Sequence, residues 1–104
     1  MTGESPRPGT SGWTFLSNHA HVMVCLHREP ELTIREIAGR VGITTRGVQI
    51  IIGQLAEEGY LVVNRSGRRN SYALNAGLPL RHPLERDFSV LTLLTALDPA
   101  RGRA

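Results

Sequence analysis

Apolar residues recur at helical spacing along the first half of the chain, and then the period changes. Leu16, Ala20, Met23, Val24 and His27 lie three or four apart, and Val22 and Leu26 widen the stripe. This predicts a first helix capped by Ser17 or Asn18 and ending near Arg28. Glu29-Pro30 closes it, because proline disfavours helical geometry in the residue before it. Thr33-Ile34-Arg35-Glu36 reads as a capping box, in which the threonine hydroxyl accepts a free backbone N–H and the glutamate reaches back to the cap. Ile34, Ile37, Ala38 and Val41 form the inner face of this second helix, and Gly42 suits a left-handed C-terminal cap. A third helix starts at once, capped by Thr44 or Thr45. It buries Val48, Ile51, Ile52 and Leu55 and runs to Glu58, before a second terminating glycine, Gly59.

From residue 61 the pattern belongs to strands. Residues 61–65 and 71–74 form two of them, and 66–70 supply turn residues, giving a β-hairpin with an arginine-rich tip. Leu78-Pro79-Leu80 reads as a linker. A last helix is predicted from Pro83, a favoured first-turn residue, to about Leu97, with Glu85 and Asp87 near its positive end. Leu84, Phe88, Leu91 and Leu94 would form one stripe on it, widened by Val90, Leu93 and Leu97 to over half the circumference. A monomer's surface helix needs only about a 100° stripe, so Leu84, Phe88, Leu91 and Leu94 are expected at a dimer interface. Residues 1–12 and 98–104 have almost nothing apolar to offset the entropy of ordering and read as disordered tails. The division is therefore a tail at 1–12, a compact unit at 13–76, a linker and dimerisation helix at 77–97, and a tail at 98–104. The fold class is mainly α with a small β-hairpin (α+β).

A length of 104 residues allows one domain with one core, with no room for a separate catalytic domain. The net charge is +3, and every one of the twelve basic residues is arginine. From residue 33 to 75 there are six arginines (Arg35, Arg40, Arg46, Arg65, Arg68 and Arg69) against Glu36, Glu57 and Glu58, so the whole excess sits on this one segment. Such a footprint suits an anionic polymer. No apolar run approaches the roughly 20 residues that span a bilayer, and residues 1–12 lack the apolar core of a signal peptide. A cytoplasmic location without membrane contact is expected.

Two helices joined by a few residues around a glycine make a helix-turn-helix, and residues 34–53 fit it closely. Ala38 must be small where the third helix crosses it, Gly42 makes the turn, and Ile37, Val41, Ile43, Val48 and Ile51 fill the wedge. A hairpin with a basic tip directly afterwards makes the winged version. In the order helix, helix-turn-helix, Gly59-Tyr60-Leu61, a wing of Arg65 to Asn70, and a closing helix, the chain resembles bacterial winged helix-turn-helix transcriptional regulators of the MarR and ArsR type. The resemblance implies a homodimer on double-stranded DNA, with the third helix in the major groove and the wing on the backbone or minor groove.

Carried onto this chain, Thr44 and Thr45 bring hydroxyls and free N–H groups to a phosphate or a base edge. Arg46 and Gln49 point away from the buried stripe, where arginine forks onto guanine and glutamine onto adenine. Ile50 shares that outer face and either touches a thymine methyl or packs elsewhere. Arg65, Arg68, Arg69 and Asn70 place the wing on the DNA, and Thr33 offers a phosphate contact at the start of the second helix.

Other chemistry is thinly represented. His19, His21, Cys25 and His27 cluster on the first helix, and His21 and Cys25 share a face. A metal- or redox-responsive regulator is therefore an alternative, as is a winged helix used as a protein-interaction module. A single cysteine is a poor start for a soft-metal site, and Cys25 reads better as a small packing residue. No glycine-rich phosphate loop or nucleophile motif is present, so neither an enzyme nor a cofactor is expected. With five aromatic residues, the sequence identifies no effector pocket.

Overall fold

A computed structural model of the chain describes residues 12–102. The predicted tail at residues 1–12 lies almost wholly outside the described residues. The element order is α1 (Asn18–Arg28), α2 (Ile34–Val41), α3 (Thr45–Glu57), β1 (Leu61–Ser66), β2 (Arg69–Leu74), α4 (Val90–Ala96) and α5 (Pro99–Gly102). This is a winged helix-turn-helix of the α+β class.

The first three helices begin where local chemistry says they should. Ser17 caps α1 and accepts the Ala20 N–H. The Thr33 side chain accepts the Glu36 N–H, and the Glu36 carboxylate accepts the Thr33 N–H in return, completing the capping box of α2. Thr44 caps α3 by accepting the Gly47 N–H. Between α2 and α3 the chain reverses at Gly42, whose φ of 86° favours glycine. The N–H groups of Gly42 and Ile43 both close onto the Ala38 carbonyl, at 2.8 and 3.1 Å.

Val22 and Leu26 of α1, Ile37 of α2, Val48 of α3 and Leu94 of α4 are the largest fully buried side chains. Ala38, Ile51, Ile52, Leu61 and Tyr72 join them, and Val41 and Ile43 pack at the margin. The wedge predicted between the two motif helices is thus filled by the residues named for it.

The hairpin is tighter than the pattern of turn residues predicts. β1 and β2 pair antiparallel from Leu61 opposite Leu74 to Ser66 opposite Arg69, leaving a two-residue turn of Gly67 and Arg68. Gly67 takes φ 64°, as a short hairpin turn requires. Ladder pairing therefore claims Ser66, Arg69 and Asn70, which composition alone assigns to the turn.

The C-terminal segment departs most from expectation. α4 begins at Val90, not Pro83, with Ser89 as its cap accepting the Thr92 N–H. Residues 78–90 form a closed loop. The Leu80 N–H bonds the Phe88 carbonyl and the Val90 N–H bonds the Leu78 carbonyl, both at 2.9 Å, around a bridge between Pro79 and Ser89. Ser89, at φ −84° and ψ 162°, is extended within that bridge, which stops a helix from running through it into α4. Within the loop, His82 Nδ1 accepts the Leu84 N–H. The predicted stripe is split accordingly: Leu84 and Phe88 lie on the loop, Leu91 on the exposed side of α4, and Leu94 inside the chain's own core. Leu78 and Leu80 pack against that core and so act as more than a tether. Of the tail predicted at 98–104, residues 103–104 lie outside the described residues; within 98–102, Asp98 accepts the Ala100 N–H at the head of α5, and Pro99 takes its first position.

Candidate nucleic-acid interface

The outer face of α3 is built by its caps and its buried stripe. With Val48, Ile51 and Ile52 facing the core, a period of 3.6 residues turns Arg46, Gln49, Ile50 and Gly53 outward, and all four are exposed. Thr44 and Thr45 sit exposed at the N-terminal end, where free N–H groups carry partial positive charge. Gly47 lies tightly under the cap: a Cβ there would stand 3.3 Å from Thr44 Oγ1. The opposite end of α3 is acidic, with Glu57 and Glu58 both exposed and Glu58 loosely paired with Arg81 at 3.9 Å. An anion thus meets attraction at the start of α3 and repulsion at its end.

On the wing, Arg68 occupies the turn itself. Arg65 stands opposite Asn70, and Ser66 opposite Arg69, so Arg65 and Arg69 leave opposite faces of the ribbon. Arg69 lies near α2. Its charge helps hold the Glu36 carboxyl below the usual carboxylate range, although the larger causes are the Thr33 backbone N–H and then the Thr33 hydroxyl. A shallow cleft between this strand and the turn before α2 is lined by Glu31, Arg69, Asn70 and Ser71. Arg69 therefore faces acidic neighbours, whereas Arg68 projects from the turn.

Thr33 is less available than its position in the sequence implies. Its N–H is bonded to Glu36 Oε1 at 2.9 Å, and its hydroxyl both accepts the Glu36 N–H and donates to the same carboxylate, each at 3.1 Å. The neighbouring Arg35 is exposed on the first turn of α2, and no ion pair engages it among the described residues. Periodicity counted Arg35 only in the charge balance. Its signal was its outward place between Ile34 and Glu36. Arg40, by contrast, is paired with Glu29. Five arginines of the segment, Arg35, Arg46, Arg65, Arg68 and Arg69, are exposed and without an ion pair among the described residues.

Two histidines of the metal and redox alternative have other partners. His19 Nε2 bonds Gln54 Oε1 at 2.7 Å, tying α1 to α3, and His21 Nδ1 bonds Asn18 Oδ1 at 3.1 Å. Cys25 is half-buried, and burial pushes its thiol pKa up against the smaller opposing influence of Arg40 and Arg28. A raised pKa leaves less of the reactive thiolate. Among the described residues no three His, Cys, Asp or Glu side chains gather as a metal site would require. No helix among them is long and apolar enough to cross a membrane.

Comparison with known proteins places this geometry. Residues 20–62, from α1 through the helix-turn-helix to the start of β1, match the family of winged helix-turn-helix DNA-binding domains. No curated protein matches the chain. Among solved structures, the chain is similar to a protein from Bacteroides thetaiotaomicron determined by solution NMR, with a TM-score of 0.50 and 22% identity over 62% of this chain and 84% of that one. At that identity the likeness concerns the fold. Sequence match and architecture agree: the chain carries a winged helix-turn-helix.

Proposed function

We propose that the protein is a sequence-specific double-stranded DNA-binding transcriptional regulator of the MarR and ArsR kind, acting as a homodimer. The observation that carries this reading is the set of five exposed arginines without ion pairs among the described residues of α2, α3 and the wing, on a chain whose net charge lies entirely on that segment. In this reading α3 enters the major groove by its N-terminal half, which keeps Glu57 and Glu58 away from the phosphates. Arg46 and Gln49 read base edges. Thr44, Thr45 and Arg35 meet the backbone, while Thr33 serves as the cap that orients Arg35. Arg65, Arg68, Arg69 and Asn70 anchor the wing on the backbone or minor groove, with Arg68 foremost.

The dimer is supported by Leu84, Phe88 and Leu91, which remain 88, 58 and 49% exposed in one chain. A second copy covering them would set two recognition helices on one face, spaced by about one DNA turn of 34–36 Å. Selection from a pool of randomised duplexes tests the reading. A palindromic site with half-site centres about 10–10.5 base pairs apart is expected. Failure to enrich any duplex at low salt would favour a protein-interaction module instead.

A further inference from the structure

Two neighbours on the outer face of α3 are unexplained by the fold. Ile50 is a large apolar side chain left 50% exposed between polar residues. Gly53 lies three residues on, in the middle of a 13-residue helix. Glycine there is unfavourable, because it exposes backbone and loses the most conformational freedom on folding. A Cβ on Gly53 would meet nothing within 4 Å, and its φ is not in the left-handed region, so neither packing nor backbone geometry in this chain calls for glycine. Ile50 and Gly53 both lie within about 60° of Arg46 around the helix axis. An apolar knob and a missing side chain thus adjoin the residues that face an anionic partner.

We infer that Ile50 recognises the C5 methyl of a thymine in the major groove, and that Gly53 keeps α3 flat enough for the close approach this contact needs. The inference rests on the proposed duplex-binding role of α3. Of the groups on base-pair edges in the major groove, only the thymine methyl is apolar. Ile50 would gain by burying against it and would gain nothing from the donors and acceptors of the other edges. Next to it, Arg46 and Gln49 are suited to guanine and adenine, so the preferred half-site should hold a thymine adjacent to the positions they read. A side chain at residue 53 would hold the helix away from the base edges by about the width of a methyl group.

The test uses the full chain and the duplex recovered by selection, with each thymine of one half-site replaced in turn by deoxyuridine, which removes only the methyl. At one thymine, wild type should lose roughly fourfold in affinity, the value of one buried methyl-sized group. Ile50→Ala should bind the thymine duplex more weakly and be indifferent to that same replacement. Gly53→Ala should raise the thermal midpoint by a few degrees and yet weaken binding. A selected site without thymine, wild type indifferent to every replacement, or Ile50→Ala as sensitive as wild type would each overturn the methyl contact while duplex binding stands. Gly53→Ala binding like wild type would overturn the close approach. Absence of any duplex binding would remove the regulator reading and this inference with it.

Discussion

The surface made by α2, α3 and the wing differs in kind from the surface made by residues 80–91. On the first, the exposed side chains are mostly arginine, threonine and glutamine, and each helix start is closed by its own cap. On the second, Leu84, Phe88 and Leu91 stand in solvent, and order comes from backbone bonds between 78–80 and 88–90. The first surface offers fixed charge at defined spacing, which suits a polyanion. The second offers apolar area at Leu84, Phe88 and Leu91, set among the exposed Arg81, His82, Glu85, Arg86 and Asp87, and an apolar centre with a polar rim suits another protein surface. In the proposed reading the domain holds DNA with one face and a copy of itself with the other, so the two faces should respond to different perturbations.

Salt produces the largest expected separation. If a dimer makes about 6–10 phosphate contacts, its affinity for duplex DNA should fall roughly 10³ to 10⁵-fold between about 50 and 200 mM salt. Self-association through Leu84, Phe88 and Leu91 should be nearly unchanged over the same range, since apolar burial is not screened. Fluorescence anisotropy and sedimentation measure the two responses in one buffer series. A flat DNA response, or a dimer that dissociates with salt, would erase the distinction between the surfaces.

Breaking the apolar face comes next in size. Replacing Leu84, Phe88 and Leu91 together by serine should leave the core intact, because none of them belongs to it. The variant should sediment as a monomer and lose roughly 10² to 10⁴-fold in affinity for a two-half-site duplex, the benefit of tethering a second binding event. Leu94→Ala is the contrasting substitution. Leu94 is 1% exposed, so its truncation should cost about 2–5 kcal/mol of stability by leaving a cavity, with assembly lost only as folding is lost. A wild-type chain that sediments as a monomer at micromolar concentration would remove the second copy from the apolar face.

The same contrast explains what could be read from sequence. The helix-turn-helix was legible because its signals are local: Thr33 with Glu36, Thr44 before Gly47, and Gly42 where φ is positive each act within four residues. The wing was legible as a hairpin, while its turn was drawn too wide, because pairing between Ser66 and Arg69 decides its length and composition does not. Residues 83–89 carried a helical apolar spacing that tertiary bonds overrode. The Leu80 and Val90 N–H groups find their partners eight and twelve residues away, at Phe88 and Leu78, beyond the reach of any local signal. Among candidate contacts, Arg46, Gln49 and Arg68 were visible from periodicity and turn position. The loss of Thr33 to its cap partner follows from the capping box itself, and Arg35 needed the absence of an acidic neighbour in space.

Within the charged face, the wing and α3 should divide the work. Arg68→Ala removes one phosphate-directed charge, so it should weaken all duplexes about equally and reduce the salt slope by about 1. Arg46→Ala or Gln49→Ala should relax preference at one base pair each, by about 1–3 kcal/mol. Arg69→Ala should do less than Arg68→Ala, because Arg69 lies close enough to Glu36 to lower its pKa. Repeating the duplex selection with each variant distinguishes these effects. Altered base preference in the wing variant, with unaltered preference in the α3 variants, would reverse the assignment.

The smallest expected effect concerns how the charged face is held, and it is read from acid unfolding. Glu36 has its pKa lowered, first by the Thr33 N–H, then by the Thr33 hydroxyl, with Arg69 a lesser cause. A group whose folded pKa is depressed adds stability above its unfolded pKa, and that stability is lost as pH falls through the folded value. The thermal midpoint should therefore drop as pH falls through and below the usual carboxylate range, part of the drop arising at Glu36. Glu36→Gln keeps an acceptor for the Thr33 N–H but does not titrate there, so its acid limb should be shallower than that of wild type. Arg69→Ala leaves both Thr33 bonds in place and should flatten the limb less. Circular dichroism melts of the three proteins from about pH 7 to about pH 3 compare the slopes. Equal flattening by Glu36→Gln and Arg69→Ala would mean that the wing, more than the capping box, sets the charge at the start of α2, and the wing would then be a structural partner of the face it shares.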